Sequence, residues 1–280
     1  MDKELRYFTL PNIFTLMNLI FGSLAVIFAS DLIIDKLYIA SYLVLIALVF
    51  DFFDGFVARK TNTVSKFGKE LDSLADFVSF GVAPALITFQ MIKMALNVKG
   101  LTLDLPINTI LMLISPVVLI IAAFLRLAKF NINEKQSKNF LGLAVPASAV
   151  FFVSLAILYS LDTSKSYEFV FIKLLNNGSS PLKLDLAVIG MYVYIFPKVW
   201  LYLIAIFFFS VMQLVNLRMF SLKFDGKSFN KNSVRYIFVF IALILLIILQ
   251  AMSLPIIIIL YILFSVGDDI ARLFVKKEQI

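Results

Sequence analysis

The sequence predicts an all-α polytopic membrane protein, with about eight transmembrane helices and an N-terminal amphipathic segment beside the membrane. Three observations carry that expectation. Of 280 residues, 61% are hydrophobic and 15% aromatic, and the mean hydropathy of +0.98 lies far from soluble globular usage. The apolar residues gather in eight runs of about 18–25 residues, the length a helix needs to cross the hydrocarbon core. Basic residues also alternate between connections: of 25 Lys and Arg, 18 fall in one set of alternate segments and 7 in the other.

The elements follow in order. Residues 1–11, MDKELRYFTLP, mix charge with Leu5, Tyr7, Phe8 and Leu10 and read as an amphipathic segment on the membrane surface. A secretory signal is the weaker reading, because Asp2 and Glu4 dilute its basic start and Asn12, Thr15 and Asn18 interrupt the run behind it. The spans are then Asn12–Ala29, Leu37–Ala58, Asp72–Leu96, Ile107–Leu127, Leu141–Tyr159, Tyr192–Leu217, Val234–Met252 and Pro255–Phe274. Pro197 interrupts the sixth. Pro255 leaves almost no connection between the last two, so they should form a tight hairpin. Residues 161–185 form the longest connection, and helices of the 186–280 region close the chain. The excess of basic residues places both termini in the cytoplasm and the 161–185 loop outside. The net charge of +7 is thus a matter of topology, and no nucleic-acid partner is expected. The chain has no Cys and no His. Disulfides and thiolate zinc sites are excluded, and any metal must be held by oxygen, which favours hard cations.

The stretch LVFDFFDGFVARKTNTVSKFGKELDSLADFVSFG, residues 48–81, contradicts its own surroundings. Asp51 and Asp54 are three apart and Asp72 and Asp76 four apart, so each pair occupies one face of its helix. The two helices are consecutive and antiparallel, which brings the pairs to similar depth near the inner leaflet. Gly55, Ala58 and Gly68 give those faces a shallow floor, where a ligand or backbone can approach closely. One ionised Asp within the bilayer costs roughly 2.5–3.5 kcal/mol on insertion scales. Four together survive by protonating, by pairing with Arg59, Lys60, Lys66 and Lys69, or by binding metal. Two divalent cations suit the spacing, and a two-metal clamp is a recurrent means of phosphoryl displacement.

The pattern D-x2-D-G-x2-A-R-x8-G-x3-D-x3-D fixes eight positions: Asp51, Asp54, Gly55, Ala58, Arg59, Gly68, Asp72 and Asp76. It resembles the signature of the CDP-alcohol phosphatidyltransferases without a gap. The resemblance implies a membrane-embedded catalytic core over residues 12–160, with a nucleotide site open to the cytoplasm. It implies that Asp51, Asp54, Asp72 and Asp76 hold two divalent metals, Mg²⁺ or Mn²⁺, against the pyrophosphate of a CDP-linked lipid. It also implies CDP contacts from Asn12 and Thr15 in the PNIFT stretch and from Gly55, Ala58, Arg59, Ser65 and Gly68. Asp76 would accept the proton of the acceptor alcohol, either late in the reaction or after the metal has acidified the hydroxyl. A homodimer in the inner membrane is the family's expectation.

Within the family, LDSLADFVSFGVAPA (71–85), FLRLAKFN (124–131) and NLRMFSLK (216–223) look like the phosphatidylserine synthases. That likeness implies CDP-diacylglycerol and L-serine as substrates, with phosphatidylserine and CMP as products. Two positions depart from it: Lys129 stands where Arg is expected, and Ala144 interrupts the GLAVP stretch. A Lys keeps the charge but loses the bidentate fork. Recognition of the serine carboxylate falls to Arg126, with Lys129 and Asn131 following it. The competing reading has Arg126 and Lys129 snorkel to lipid phosphates. Glycerol 3-phosphate or inositol as acceptor, or an archaeal ether-lipid donor, are alternatives within the family. A cation transporter is the alternative outside it, but Leu37–Phe50 holds only Ser41 besides two tyrosines, which leaves no polar path through the far half.

Overall fold

The computed structural model describes residues 9–31, 34–61, 63, 65–102, 104–132, 140–163, 198–219 and 229–277. The surface segment expected over 1–11 lies outside them up to residue 8, and so does the 161–185 loop beyond residue 163.

Helix α1 (Leu10–Ser30) starts where Thr9 caps it, the Thr9 hydroxyl accepting the Asn12 N–H at 3.4 Å. Pro11 occupies the first turn, where its missing N–H costs nothing. It therefore opens the span, whereas the sequence reading left it in the surface segment. Helix α2 (Ile34–Thr61) follows, and at this end of the bundle Lys36 pairs with Asp31. Helix α3 (Lys66–Asp76) passes without interruption into a π-helical turn (Phe77–Val82) and then α4 (Ala83–Ala95). The third span thus begins six residues before the apolar run. Ser65 makes this possible, because its hydroxyl accepts the Gly68 N–H at 3.0 Å and caps the helix.

The fourth span is two pieces, α5 (Ile107–Ile114) and α6 (Val117–Ile132). Pro116 has no N–H for the Met112 carbonyl, and the Ser115 hydroxyl takes that carbonyl instead at 2.7 Å. Helix α7 (Val145–Thr163) starts four residues later than expected. Leu141, expected to open the fifth span, instead lies with Phe140 in strand β1 (Phe140–Leu141), paired antiparallel with β2 (Arg218–Met219). Helix α8 (Val199–Leu214) leads into β2. The expected 192–197 part of the sixth span lies outside the described residues.

Helix α9 (Phe229–Leu249), a 3₁₀ turn (Gln250–Met252) and α10 (Ser253–Lys277) end the chain. Gln250 adopts φ 49°, reversing the chain. Phe238 of α9 meets Tyr261 and Phe264 of α10, with ring centroids 5.9 and 6.1 Å apart. Those contacts lie at matching distances from the turn, so the two helices form the tight antiparallel hairpin expected.

By length and composition, five helical stretches among the described residues are apolar enough to cross a membrane: Leu10–Ser30, Lys36–Thr61, Lys66–Ala95, Ile107–Ile132 and Val234–Asp269, the last being the hairpin. Val145–Tyr159 and Val199–Leu214 are shorter apolar helices. The protein is an all-α integral membrane protein. Its core is packed by small residues. Ala25, Ala29, Ala40, Ala47, Ala83 and Ala85 are buried where α1, α2 and α4 cross, and larger side chains such as Phe52 and Phe207 point outward, as lipid contact requires.

Candidate active site

Two consecutive antiparallel helices carry the four aspartates. Asp51 lies ten residues before the end of α2 and Asp76 ten residues after the start of α3, on the order of 15 Å from the connecting loop in each case. The ligand oxygens of Asp51, Asp72 and Asp76 all lie within 4.8 Å of one another. Asp54 stands apart from this trio and one turn nearer the loop. It is 5% exposed, and its Oδ2 accepts the Thr15 hydroxyl at 2.7 Å. One turn further along α1, Asn18 Nδ2 donates to Asp76 Oδ1 at 3.0 Å. Helix α1 therefore straps both acidic helices, with one polar side chain for each.

The π-helical turn begins directly after Asp76. Its wider hydrogen-bonding register re-aims the helix at the cluster and turns Ser79 toward α1, where its hydroxyl donates to the Asn18 carbonyl at 3.0 Å. Gly22 makes the approach possible: a Cβ there would sit 2.7 Å from the Ser79 Cα.

The residues expected at the nucleotide fall at the loop-side mouth of the cluster. The positions of Asn12 Oδ1 and Ser65 Oγ are each 3.1 Å from where a Gly68 Cβ would be, so these three share one corner. The Arg59 guanidinium folds back over Gly55, with Nη1 3.4 Å from a Cβ built there. The Ala58 side chain is half-buried on the same α2 face, and its carbonyl accepts the Thr63 N–H at 3.1 Å.

The three acceptor candidates separate. Arg126 is 8% exposed, donates from Nη2 to the Gly142 carbonyl at 3.4 Å, and lies near Asp76 and Tyr261. That burial favours an inward role over snorkelling. Lys129 is exposed and bonded to Asn216, so the fold does not bring it to the aspartates. Asn131 accepts from the Ser73 hydroxyl at 2.9 Å and donates to Glu70 Oε2 at 3.1 Å, tying α6 to α3. Gly142 itself has φ 75° and lies against the Gln213 carbonyl, 2.6 Å from where its Cβ would be. Only glycine fits there, and the turn it makes holds Arg126.

Sequence reasoning passed over Asn18, Gly22 and Tyr261. The first had a signal: Asn12, Thr15 and Asn18 recur every three residues on an apolar helix. Tyr261 had none, since nothing local ties α10 to α6.

Whether the cluster suits metal can be judged from its donors. They are all oxygen, which fits hard divalent cations. Asp72 Oδ1 is buried with no hydrogen-bond partner, as a ligand atom would be before its cation arrives. Three carboxylates this close repel by about 3–4 kcal/mol per pair at an effective dielectric near 20, so the arrangement calls for positive charge among them.

A membrane-embedded helical bundle with an acidic centre toward one end defines the class. The chain matches the CDP-alcohol phosphatidyltransferase family model over residues 8–208, and it belongs to that family. Among curated relatives, it is 38% identical over 145 residues to the CDP-diacylglycerol–serine O-phosphatidyltransferase of Helicobacter pylori, covering 51% of this chain and 55% of that protein. It is 35% identical over 152 residues to the archaetidylserine synthase of Methanothermobacter thermautotrophicus, covering 53% and 58%. To the serine O-phosphatidyltransferase of Bacillus subtilis it is 33% identical over 151 residues, covering 54% and 77%. The chain thus spans little more than half the length of the first two.

Proposed function

We propose that this protein transfers the phosphatidyl group of CDP-diacylglycerol to the hydroxyl of L-serine, giving phosphatidylserine and CMP. The observation that carries the reading is the convergence of Asp51, Asp72 and Asp76 from two helices, with oxygens within 4.8 Å at membrane depth. A nucleotide-linked lipid delivers its pyrophosphate to that depth. The serine enzymes among the relatives support the acceptor.

Asp51, Asp72 and Asp76, with Asp54 beside them, would hold two Mg²⁺ or Mn²⁺ ions. When bound, such ions neutralise charge on the pyrophosphate and on the leaving group. The rest falls to side chains. Asn12, Ser65 and Gly68 at the mouth of α3, with Gly55 and Arg59 on α2, would seat the CDP moiety, and Thr15 fixes the Asp54 carboxylate. Arg126 orients the serine carboxylate. The serine oxygen attacks the phosphorus that bears diacylglycerol, and its proton passes to Asp76. The bond from that phosphorus to the bridging oxygen breaks, and CMP leaves with the electron pair. The mouth would face the cytoplasm, where CMP and serine exchange, and the protein would work as a homodimer in the inner membrane.

The test uses purified full-length protein with CDP-diacylglycerol, Mn²⁺ or Mg²⁺, and L-serine, glycerol 3-phosphate or inositol. CMP release with serine alone supports the reading; release only with another alcohol overturns it. The archaetidylserine synthase likeness favours a second donor, an ether-linked CDP-lipid, so the same assay run with that donor decides between lipid backbones.

A further inference from the structure

We propose that Asn18 reads the acceptor: one end of its amide holds Asp76, and the other receives the ammonium of an amino alcohol. This deepens the proposed transfer to serine and rests on it.

The Asn18 side chain is 0% exposed, and its Nδ2 donates to Asp76 Oδ1 at 3.0 Å. An ionised carboxylate can only accept, so the amide must turn its NH₂ to Asp76 and its oxygen elsewhere. That oxygen is buried and has no hydrogen-bond partner. A buried acceptor left unpaired is costly, and in this protein it is also held rigidly. The main chain that carries it is pinned: the Asn18 backbone carbonyl accepts the Ser79 hydroxyl at 3.0 Å, and the Gly22 contact locks Ser79 against α1. The orphaned atom is thus a fixture beside the carboxylate that takes the hydroxyl proton.

The chemistry of the acceptor then follows from neighbouring atoms. In serine, the ammonium sits on the carbon next to the hydroxymethyl carbon. Placing the hydroxyl at Asp76 carries N–H donors to Asn18 Oδ1. The carboxylate is left for Arg126, whose Nε is likewise buried and unpartnered. Two unpaired atoms of opposite character therefore match the two charged groups of one amino acid. An alcohol without the ammonium leaves Asn18 Oδ1 unsatisfied.

The experiment compares L-serine with 3-hydroxypropionate, which is serine with hydrogen in place of the ammonium. Full-length protein in phosphatidylcholine nanodiscs receives CDP-diacylglycerol and Mn²⁺, and CMP release gives kcat/KM for each alcohol. The wild type should prefer serine by at least about 100-fold, and N18A should shrink that preference by about 10–100-fold, whatever loss both alcohols share. N18L, which matches the volume, is read in the same way if N18A no longer binds CDP-diacylglycerol. An equal loss on both alcohols overturns the proposal and reduces Asn18 to a hold on Asp76. So does a wild type that uses both alcohols equally. If the wild type releases CMP with neither, yet does so with glycerol 3-phosphate or inositol, the serine reading itself has failed.

Discussion

Along α1 the buried stripe changes character halfway. Pro11, Asn12, Thr15 and Asn18 face the bundle at one end, and Gly22, Ala25 and Ala29 face it at the other. Both ends let neighbouring helices approach, but they differ in how their polar groups are satisfied. At the far end, Ser41 donates to its own helix at Leu37 O, 2.9 Å away, and Thr88 to Pro84 O at 2.7 Å. Gln90 closes the end of α1 by donating to Ala29 O at 2.9 Å. At the site end, Thr15 and Asn18 bond across helices to Asp54 and Asp76. The buried side-chain atoms without partners, among the described residues, are in Asn18, Asp72, Arg126, Ser210 and Gln213, all toward this end. In lipid every polar group must be satisfied within the protein. One end has settled that account internally, and the other leaves places for substrate and cation. A path for ions through the bundle would need such places at both ends.

The largest break in this contrast should come from Asp76→Asn. It keeps the shape and removes the proton acceptor, so turnover should fall by about 10²–10⁴-fold while CDP-lipid binding stays measurable. Single-turnover CMP release beside equilibrium binding of the nucleotide lipid checks both halves. Undiminished turnover would take the proton-accepting role from Asp76. Next in size is Arg126→Ala. A hydrogen bond to a charged group contributes about 1.5–3 kcal/mol, so the serine KM should rise by roughly 10–100-fold, with the CDP-lipid KM little changed. Equal shifts in both would return Arg126 to a packing or lipid-facing role.

The aspartates were legible in the sequence because helical spacing is arithmetic. Three and four residues put each pair on one face, and a short loop between antiparallel helices put the faces together. The same arithmetic held the key to Asn18, but polar residues in an apolar run were read as interruptions when they marked a buried stripe. What stayed hidden depends on distant partners or on backbone register. The ladder of Phe140–Leu141 with Arg218–Met219 joins segments far apart in the chain. The π-helical turn after Asp76 is a change in hydrogen-bond register that no residue type announces. Arg126 and Lys129 looked equivalent three residues apart, yet only Arg126 is inside, while Lys129 is exposed and held by Asn216, a residue 87 positions on in the chain.

Gly22→Ala probes the seam between the two ends. The new methyl would meet the Ser79 backbone at 2.7 Å, and backbone cannot swing aside as a long side chain would. Overpacking of this kind costs about 1–3 kcal/mol, so the melting temperature in detergent should fall. The Ser79 and Asn18 contacts should loosen with it, lowering activity at temperatures where the fold survives. An unchanged melting temperature would mean that the helices can part here without cost.

The smallest effect belongs to Ser41→Ala, and its smallness is informative. Ser41 is 0% exposed, deep in α2 and on the same helix as Asp51 and Asp54. Its hydroxyl is satisfied by Leu37 O, one turn back. Removing it deletes donor and demand together, since that carbonyl still has its helical partner, and such a change is close to neutral. Stability should therefore move by less than about 1 kcal/mol, and CMP release should match the wild type. If Ser41→Ala instead impaired turnover, the far half would have to contribute to the chemistry, and the division of this bundle into a closed end and a working end would not stand.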